Sequence, residues 1–151
     1  MSDTLVESSA VSAFLDLHKK LIEQGSPALA ELQQVALNRF ELLGFPHSKH
    51  EMYTYLNTKG LVETAFGLSD SSKKVSEDFV AGHIYPGCES QCLVFVDGTL
   101  NRDLSRLEGV RANLVPLSEA VSDPELKKYL SETAENENDV FAALSTAFCG
   151  E

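Results

Sequence analysis

The chain has 151 residues, with 12 lysines and arginines against 23 aspartates and glutamates, which gives a formal net charge of −11. Its length predicts one domain with a sizeable core, and 43% hydrophobic and 23% charged residues exclude disordered, collagen-like and disulfide-rich classes. Because the chain is acidic and shows no basic stripe, we expect neither nucleic acid nor an anionic membrane as a partner.

The sequence also carries no signal for membrane insertion or export. Its strongly apolar run around 92–96 is far shorter than the roughly 18 to 20 residues that a bilayer requires. The N-terminus is acidic and lacks the basic-then-apolar order of a signal peptide. Three cysteines cannot all pair within the chain, so we expect reduced thiols and a cytoplasmic protein.

The first predicted element is an amphipathic helix. Residues 1–8 are predicted to be disordered, and the helix is predicted over Ser9–Gln24. His18 falls on its apolar face, and Gly25 is the expected stop. The prediction depends on helical spacing of the apolar residues Val11, Phe14, Leu15, Leu21 and Ile22.

A second helix is predicted directly after the first. Ser26 suits the N-cap and Pro27 the first helical position, and Gly44 marks the end. Two helices joined so tightly are expected to form an antiparallel hairpin. The hairpin would bury the faces that carry Phe14 and Phe40 against each other.

The middle of the chain predicts one β-element. Residues 45–58 show no helical or strand period, and 61–78 are predicted to be mostly irregular. Cys92–Val96 predicts a strand that is apolar on both faces, and Asp97–Gly98 predicts a hairpin turn after it. A weaker strand is predicted over 110–115.

The C-terminal third predicts helices. A helical turn is predicted from Pro116 to Glu119, and Asp123 with Pro124 predicts a helix to about Leu130. The acidic, Asn-rich stretch 132–139 predicts a loop, and a last helix follows to about Phe148. This last helix is apolar on nearly every side, so we expect that whatever covers it is missing. The predicted fold class is α+β, mainly helical, in a single domain over 9–151.

The cysteines and histidines include one candidate group of metal ligands. Cys88 and Cys92 are four apart, and His83 lies five residues before Cys88. Thiolate and imidazole suit zinc and iron–sulfur clusters, but zinc sites normally use two tighter pairs, and Cys92 suits a strand core. His47 and His50 lack an acidic partner and predict a solvated loop. No metal ligand is assigned.

Catalytic chemistry has no better support in the sequence. Cys149 has no feature that would lower its thiol pKa. Glu135, Glu137 and Asp139 lack the pattern of a calcium loop, and negative charge at the start of the last helix is the simpler role. The glycines form no phosphate-binding loop, and no nucleophile elbow is present. No catalytic or cofactor-binding residue is assigned.

Two tyrosines stand in the irregular segment that follows the second helix. Tyr53 and Tyr55 could stack on a ligand or touch a partner. Aromatic residues in irregular segments more often anchor the segment to the core while their hydroxyls reach solvent, and we expect that role for both. Composition and spacing alone therefore predict a soluble module without an identifiable active site.

Three stretches, in order, resemble one known family. They are GFPHSKHEMYTY at 44–55, LVFVDG at 93–98 with LS at 104–105 and VPLSEA at 115–120, and FAALSTAF at 141–148. They are similar to the SufB/SufD family of iron–sulfur cluster assembly scaffold proteins, in particular its SufD members. Tyr53 stands where the family usually has Trp, and Ser145 where it usually has Asn.

The resemblance implies the N-terminal region of a longer, SufD-like protein whose β-helix follows the third motif. It implies a scaffold subunit of a SufB–SufC–SufD complex that assembles iron–sulfur clusters, with SufB and SufC as partners and SufC hydrolysing ATP. The family's cluster-related cysteines and histidines lie in the part that follows. No resident cofactor and no enzymatic activity are therefore expected here, and the region is expected to support assembly of the complex.

Two other hypotheses stay open at this point. A free-standing protein-interaction adaptor would have to cover its last helix, most simply as a homodimer, which light scattering would detect. A small metal-binding or thiol enzyme would use His83, Cys88 and Cys92, and elemental analysis would detect its zinc or iron.

Overall fold

A computed structural model of the chain describes residues 2–46, 51–69, 73–109 and 114–150. The chain divides into two compact units, and the single domain predicted over 9–151 stays a prediction. The helical unit comprises Met1–Leu68 and Leu117–Gly150, and the ribbon unit comprises Ser69–Pro116. The architecture is α+β and mainly helical, as predicted.

The elements follow one another in an order dominated by helices. The helices of the described residues are α1 (Ser2–Gln24), α2 (Ala30–Leu43), α3 (Lys59–Glu63), α4 (Glu77–Ala81), α5 (Leu117–Ala120), α6 (Pro124–Asn136) and α7 (Val140–Ala147). The strands are β1 (Gln91–Cys92), β2 (Phe95–Val96), β3 (Thr99–Leu100) and β4 (Arg106–Leu107). None of the described helices combines the length and apolar character that crossing a bilayer requires.

Helix α1 begins earlier than the sequence predicted. The backbone is helical from Ser2, so the prediction of disorder over 1–8 is wrong for residues 2–8, and Met1 lies outside the described residues. The predicted end is confirmed, because the helix stops at Gln24 and the Gly25 amide donates to the Leu21 carbonyl at 2.7 Å. That close turn leaves little room at position 25. A Cβ added there would lie 2.8 Å from the Leu21 carbonyl oxygen.

Gly25→Ala is therefore expected to lower the free energy of unfolding by about 1 to 3 kcal/mol, because the backbone must shift to make room. Gly60→Ala is the matched control. A Cβ at Gly60, inside α3, meets nothing within 4 Å, so alanine should stabilise that helix by about 0.5 to 1 kcal/mol. Urea denaturation of both variants measures the two effects. Equal changes would contradict the steric explanation.

Helix α2 begins with a turn instead of a side-chain cap. The predicted N-cap, Ser26, is wrong, since the helix starts at Ala30 and Leu29 occupies the cap position without a side-chain hydrogen bond. The Ser26 and Pro27 carbonyls accept from the Leu29 and Ala30 amides at 3.1 and 3.3 Å. Leu29 is only 1% exposed, so its apolar side chain is packed at the position where a polar cap was expected.

The core of the helical unit is built around α2. Phe40 is fully buried, with its ring 5.9 Å from the Phe14 ring and 5.3 Å from the Phe45 ring. The predicted Phe14–Phe40 contact is thereby confirmed. Yet α2 packs more extensively on α7 and α6 than on α1, so the helical hairpin is only part of the core.

Helix α7 has its cover within this chain. Val140, Ala143 and Ala147 are buried, and the small alanines allow α7 to lie close against α2. The expectation that the cover is missing is therefore wrong. The argument for a homodimer, which depended on that missing cover, loses its support.

Helix α6 is longer than predicted. Its N-cap is confirmed, because an Asp123 carboxylate oxygen accepts from the Glu125 and Leu126 amides at 2.8 and 3.2 Å. It continues to Asn136, so most of the predicted loop 132–139 is helical. Burial of Ala134, 3% exposed in the hydrophobic core, favours the extra turns over the local preference of an acidic, Asn-rich stretch.

The ribbon unit contains two short antiparallel pairs. Strand β2 pairs with β3 across the predicted turn, in which Asp97 and Gly98 have φ of 52° and 84°. Strand β1 pairs with β4. The predicted strand Cys92–Val96 is interrupted, because the Val94 amide donates to the Ser105 hydroxyl at 3.0 Å instead of to a backbone carbonyl.

The structure departs in part from the predictions of an irregular segment over 61–78 and a strand over 110–115. The segment 61–78 contains the end of α3 and the start of α4, whose N-cap Ser76 accepts from the Phe79 amide at 3.2 Å. Of the strand predicted over 110–115, residues 110–113 lie outside the described residues, and Leu114 and Val115 are not in a strand.

Candidate interaction site

The thiols of the ribbon unit do not converge on a metal site. Cys88 is exposed and Cys92 is half-buried, and both are free cysteines. The prediction of Cys92 as a core residue is wrong, because it lies outside the buried cluster. Within the part of the chain that the structure describes, no group of three His, Cys, Asp or Glu side chains could hold a metal ion.

His83 follows α4 and contacts that helix. Its Nδ1 lies 2.7 Å from the Phe79 carbonyl oxygen, and its ring lies 4.4 Å from the Phe79 ring. A carbonyl oxygen only accepts, so Nδ1–H is the donor in this hydrogen bond. His47 and His50 lie outside the described residues.

Cys149 is a poor nucleophile in this structure. Burial raises the pKa of its thiol, which leaves less thiolate at neutral pH. Its backbone carbonyl accepts a hydrogen bond from Gln33 Nε2 at 2.7 Å, which ties the end of the chain to α2. The thiol is consistent with a packing role.

The acidic residues before α7 have the structural role predicted for them. An Asp139 carboxylate oxygen accepts from the Phe141 and Ala142 amides at 2.8 and 3.1 Å and so caps α7. Arg39 of α2 donates to the Glu137 backbone carbonyl and, at 2.6 Å, to Asn138 Oδ1. The short link between α6 and α7 is thereby held against α2.

Tyr53 anchors the segment after α2 to α7. It is 8% exposed, and its ring meets the Phe141 ring edge-on at 5.5 Å. Burial raises the pKa of Tyr53 to about 12, and a hydrogen bond to Asp139 and the charges of Asp139 and Glu137 act in the same direction. The anchoring role is confirmed, but the hydroxyl is buried and does not reach solvent.

The residues around this anchor are exposed, and we call Glu51–Leu56 the anchored turn. Met52 is 69% exposed, Tyr55 102% and Leu56 53%. The anchor prediction is therefore wrong for Tyr55. Its neighbour Tyr53 supplies the buried contact, and the Leu56 amide donates to the Tyr53 carbonyl at 2.9 Å. A short turn held by one buried ring thus presents three large apolar side chains to solvent.

Two apolar recesses complete the candidate surfaces. The helical unit has a cleft of about 600 Å³, lined chiefly by Ala10, Ala13, Phe14, Leu17, Val62 and Phe66. The ribbon unit has a recess of about 300 Å³, which we call the ribbon groove. The ribbon groove is lined by Leu93, Phe95, Leu100, Arg102, Ser105, Leu107, Leu114, Val115 and Pro116.

A buried polar cluster links α1, α2 and the end of α7. His18 is 1% exposed, its ring meets the Phe148 ring at 5.7 Å, and Gln33 is 2% exposed. His18 Nε2 and Gln33 Oε1 are buried and find no hydrogen-bond partner among the described residues. The sequence placed His18 on the apolar face of α1 but did not indicate Gln33 as its neighbour, because the pairing is between distant segments.

His18 makes the stability of the helical unit depend on pH. Burial lowers its pKa, although backbone interactions with Gln33 and Ala147 oppose the shift. The unfolded chain therefore binds a proton more readily than the folded chain. The contribution of His18 to the free energy of unfolding is complete above the pKa of this side chain in the unfolded chain, which is about 6.5. The contribution is lost as the pH falls below that value. We expect a loss of up to about 1.4 kcal/mol per pH unit.

Urea denaturation at pH 7.5, 6.5 and 5.5 measures this slope. His18→Leu should reduce the slope, because leucine has no proton to gain. His83→Gln is the matched control, since His83 is exposed and lies after α4 instead of in the core. An unchanged slope in His18→Leu would contradict the assignment.

Comparison with known proteins yields one match. A family model described as the SufBD protein N-terminal region matches residues 6–151. No curated protein and no solved structure matches the chain. The match covers nearly the whole sequence, including the anchored turn, the ribbon groove and α7.

Proposed function

Because this chain belongs to the SufBD family, as its N-terminal region, we propose that it serves iron–sulfur cluster assembly as a non-catalytic scaffold region. The family match over residues 6–151 is the observation that carries this proposal. The cluster is the cargo of such a scaffold, and we assign no residue of this chain to hold it.

The finer assignment is a SufD-type subunit of a cytoplasmic SufB–SufC–SufD complex. It is supported by the similarity of three ordered motifs, of which FAALSTAF at 141–148 is the most specific. In this proposal SufB and SufC are the partners, and SufC supplies ATP hydrolysis. The chain would be the N-terminal part of a longer subunit.

The geometry favours contact surfaces over catalysis as the contribution of this region. The thiol of Cys149 is made less reactive by burial, and the Asp139 carboxylate is engaged in capping α7. In contrast, the anchored turn presents Met52, Tyr55 and Leu56 while Tyr53 holds it in place. A turn anchored by a buried ring loses less entropy on binding than an unanchored one, which favours it as a protein-contact element.

Co-expression with the SufB and SufC of the same organism tests the proposal. The full reading frame is compared with a version that lacks residues 1–150, and the yield of purified ternary complex is measured. We expect the deletion to lower this yield by about tenfold or more, since the few residues at the centre of an interface typically cost about 2 kcal/mol or more each when they are removed. An unchanged yield would overturn the proposed role.

A triple variant tests the contribution of the anchored turn to complex formation separately from the contribution of the fold. Met52, Tyr55 and Leu56 are each replaced by serine, and the matched control replaces the exposed Phe79, Tyr85 and Tyr129 by serine. The turn variant should lower the yield of complex, whereas the control should not. ATP turnover per assembled complex should stay the same in both, because a scaffold region affects the amount of complex and not its chemistry.

A further inference from the structure

The two faces of the ribbon differ in their surroundings. Along residues 92–96, from the end of β1 through β2, the side chains alternate, with Cys92, Val94 and Val96 half-buried and Leu93 and Phe95 about half exposed, at 45% and 51%. Phe95 lies opposite Leu100 in the register, so the two share the exposed face. Large apolar side chains on one exposed face together form an apolar surface. Such a surface differs from the single, scattered apolar residues that are normal on proteins.

Within the described residues, the backbone of 93–95 is open on the side that faces away from the paired chain segment. Val94 faces the partner strand, since its carbonyl accepts from the Asn101 amide at 2.8 Å and its amide donates to Ser105 Oγ at 3.0 Å. In an antiparallel pair neighbouring residues alternate between inward and outward backbone groups. The backbone groups of Leu93 and Phe95 therefore face outward, and both described sheets contain only two strands.

Arg102 adds a charge to the ribbon groove. Its side chain is exposed, it lines the recess, and no described carboxylate lies within ion-pair distance of it. Lys73, in the same unit, instead pairs with Asp97 at 3.0 Å. An arginine at an apolar recess, with no ionic partner among the described residues, is complementary to an occupant that brings a carboxylate together with apolar side chains.

We propose that the ribbon groove binds an extended segment of a partner protein that carries an acidic residue between apolar residues. The segment adds a strand along the Leu93–Phe95 edge, its alternate side chains enter the groove, and its carboxylate meets Arg102. The open edge supplies backbone hydrogen bonds, and the groove supplies selectivity. The argument depends only on the ribbon unit and does not require the proposed role in cluster assembly.

A second copy of the chain is a weaker candidate for the occupant. Each copy carries a net charge of −11, so association of two copies is opposed by electrostatic repulsion. A fatty acid would bring a carboxylate and an apolar chain, but it has no backbone groups for the open edge. An extended acidic peptide satisfies the recess, the edge and the arginine together.

Synthetic heptapeptide pools test the proposal on the 151-residue chain. The central residue is glutamate in one pool and glutamine in the other, and the residues two positions away on each side vary among Val, Ile, Leu and Phe. Binding is followed by the amide chemical shifts of Leu93 and Phe95. We expect those amides to shift and the glutamate pool to bind about two- to fivefold more tightly, as for an exposed ion pair.

Two arginine variants test which arginine binds the carboxylate of the peptide. Arg102→Gln should abolish the preference for glutamate. Arg106→Gln is the matched control, because Arg106 is also exposed but pairs with Cys92 in the register and so lies on the other face of the ribbon. Loss of the preference in Arg106→Gln, or its survival in Arg102→Gln, would overturn the proposed contact.

Backbone methylation of the peptides tests strand addition separately. Methyl groups on one alternate set of peptide nitrogens should abolish binding, whereas methyl groups on the other set should not, because only one set faces the ribbon. Equal binding of both methylated sets would overturn strand addition.

Two further outcomes would assign the edge to another occupant. Amide shifts of Leu93 and Phe95 that grow with protein concentration alone would assign it to self-association. Amide shifts caused equally by decanoate would assign it to a small amphiphile. Either result overturns the proposal.

Discussion

Phe40→Ala is expected to lower the free energy of unfolding by about 3 to 5 kcal/mol. The side chain is fully buried and meets the rings of Phe14 and Phe45 at 5.9 and 5.3 Å. The three rings come from α1, α2 and the segment that follows α2, so a cavity at Phe40 removes contacts from all three at once. A domain of ordinary stability has only about 5 to 15 kcal/mol in total, which makes this loss large.

Urea denaturation followed by helical circular dichroism measures the change. Phe79→Ala is the control, because Phe79 is 60% exposed and its replacement should cost about 1 kcal/mol or less. A Phe40→Ala loss below about 1.5 kcal/mol would mean that the neighbouring rings close the cavity, and it would contradict the central position assigned to this residue.

Replacing Asp139 is expected to have two separable effects. Asp139→Ala removes the cap of α7 and should cost about 0.5 to 2 kcal/mol, whereas Asp139→Asn keeps a capping oxygen and should cost much less. Both variants remove the negative charge beside Tyr53, so in both the pKa of Tyr53 should fall below its present value of about 12. Burial, the larger cause of the shift, should keep the pKa above 10.

Ultraviolet titration of the tyrosines measures the second effect, and denaturation measures the first. The titration step assigned to Tyr53 is the one that is lost in Tyr53→Phe. A Tyr53 step that does not move in Asp139→Asn would show that the carboxylate does not act on the hydroxyl. Equal destabilisation by Asp139→Ala and Asp139→Asn would show that the negative charge of Asp139 stabilises α7 more than its capping hydrogen bonds do.

The two candidate surfaces were foreseen to different extents. The sequence singled out Tyr53 and Tyr55 but could not tell which one would be buried, since both stand in a segment without a period. The β-turn at Asp97–Gly98 was predicted correctly, yet the groove beside it was not. Its lining comes from residues up to 23 positions apart, between Leu93 and Pro116, and no local signal links them.

Local chemistry explains what the sequence determined by itself. Gly25 ends α1, Asp123 with Pro124 starts α6, Asp139 starts α7, and Asp97–Gly98 makes the turn, because each involves hydrogen bonds or φ preferences within a few residues. The three motifs also identified the family, which the match over 6–151 confirmed.

Tertiary packing decided the features that local preferences left open. Burial of Leu29 accompanies the replacement of a Ser26 cap by a turn, and burial of Ala134 accompanies the extension of α6 through an acidic stretch. The cover of α7 comes from α2, about a hundred residues earlier in the chain, so no pattern within α7 could reveal it. Such contacts form only when distant segments meet, because the free energy of apolar burial depends on which surfaces come together.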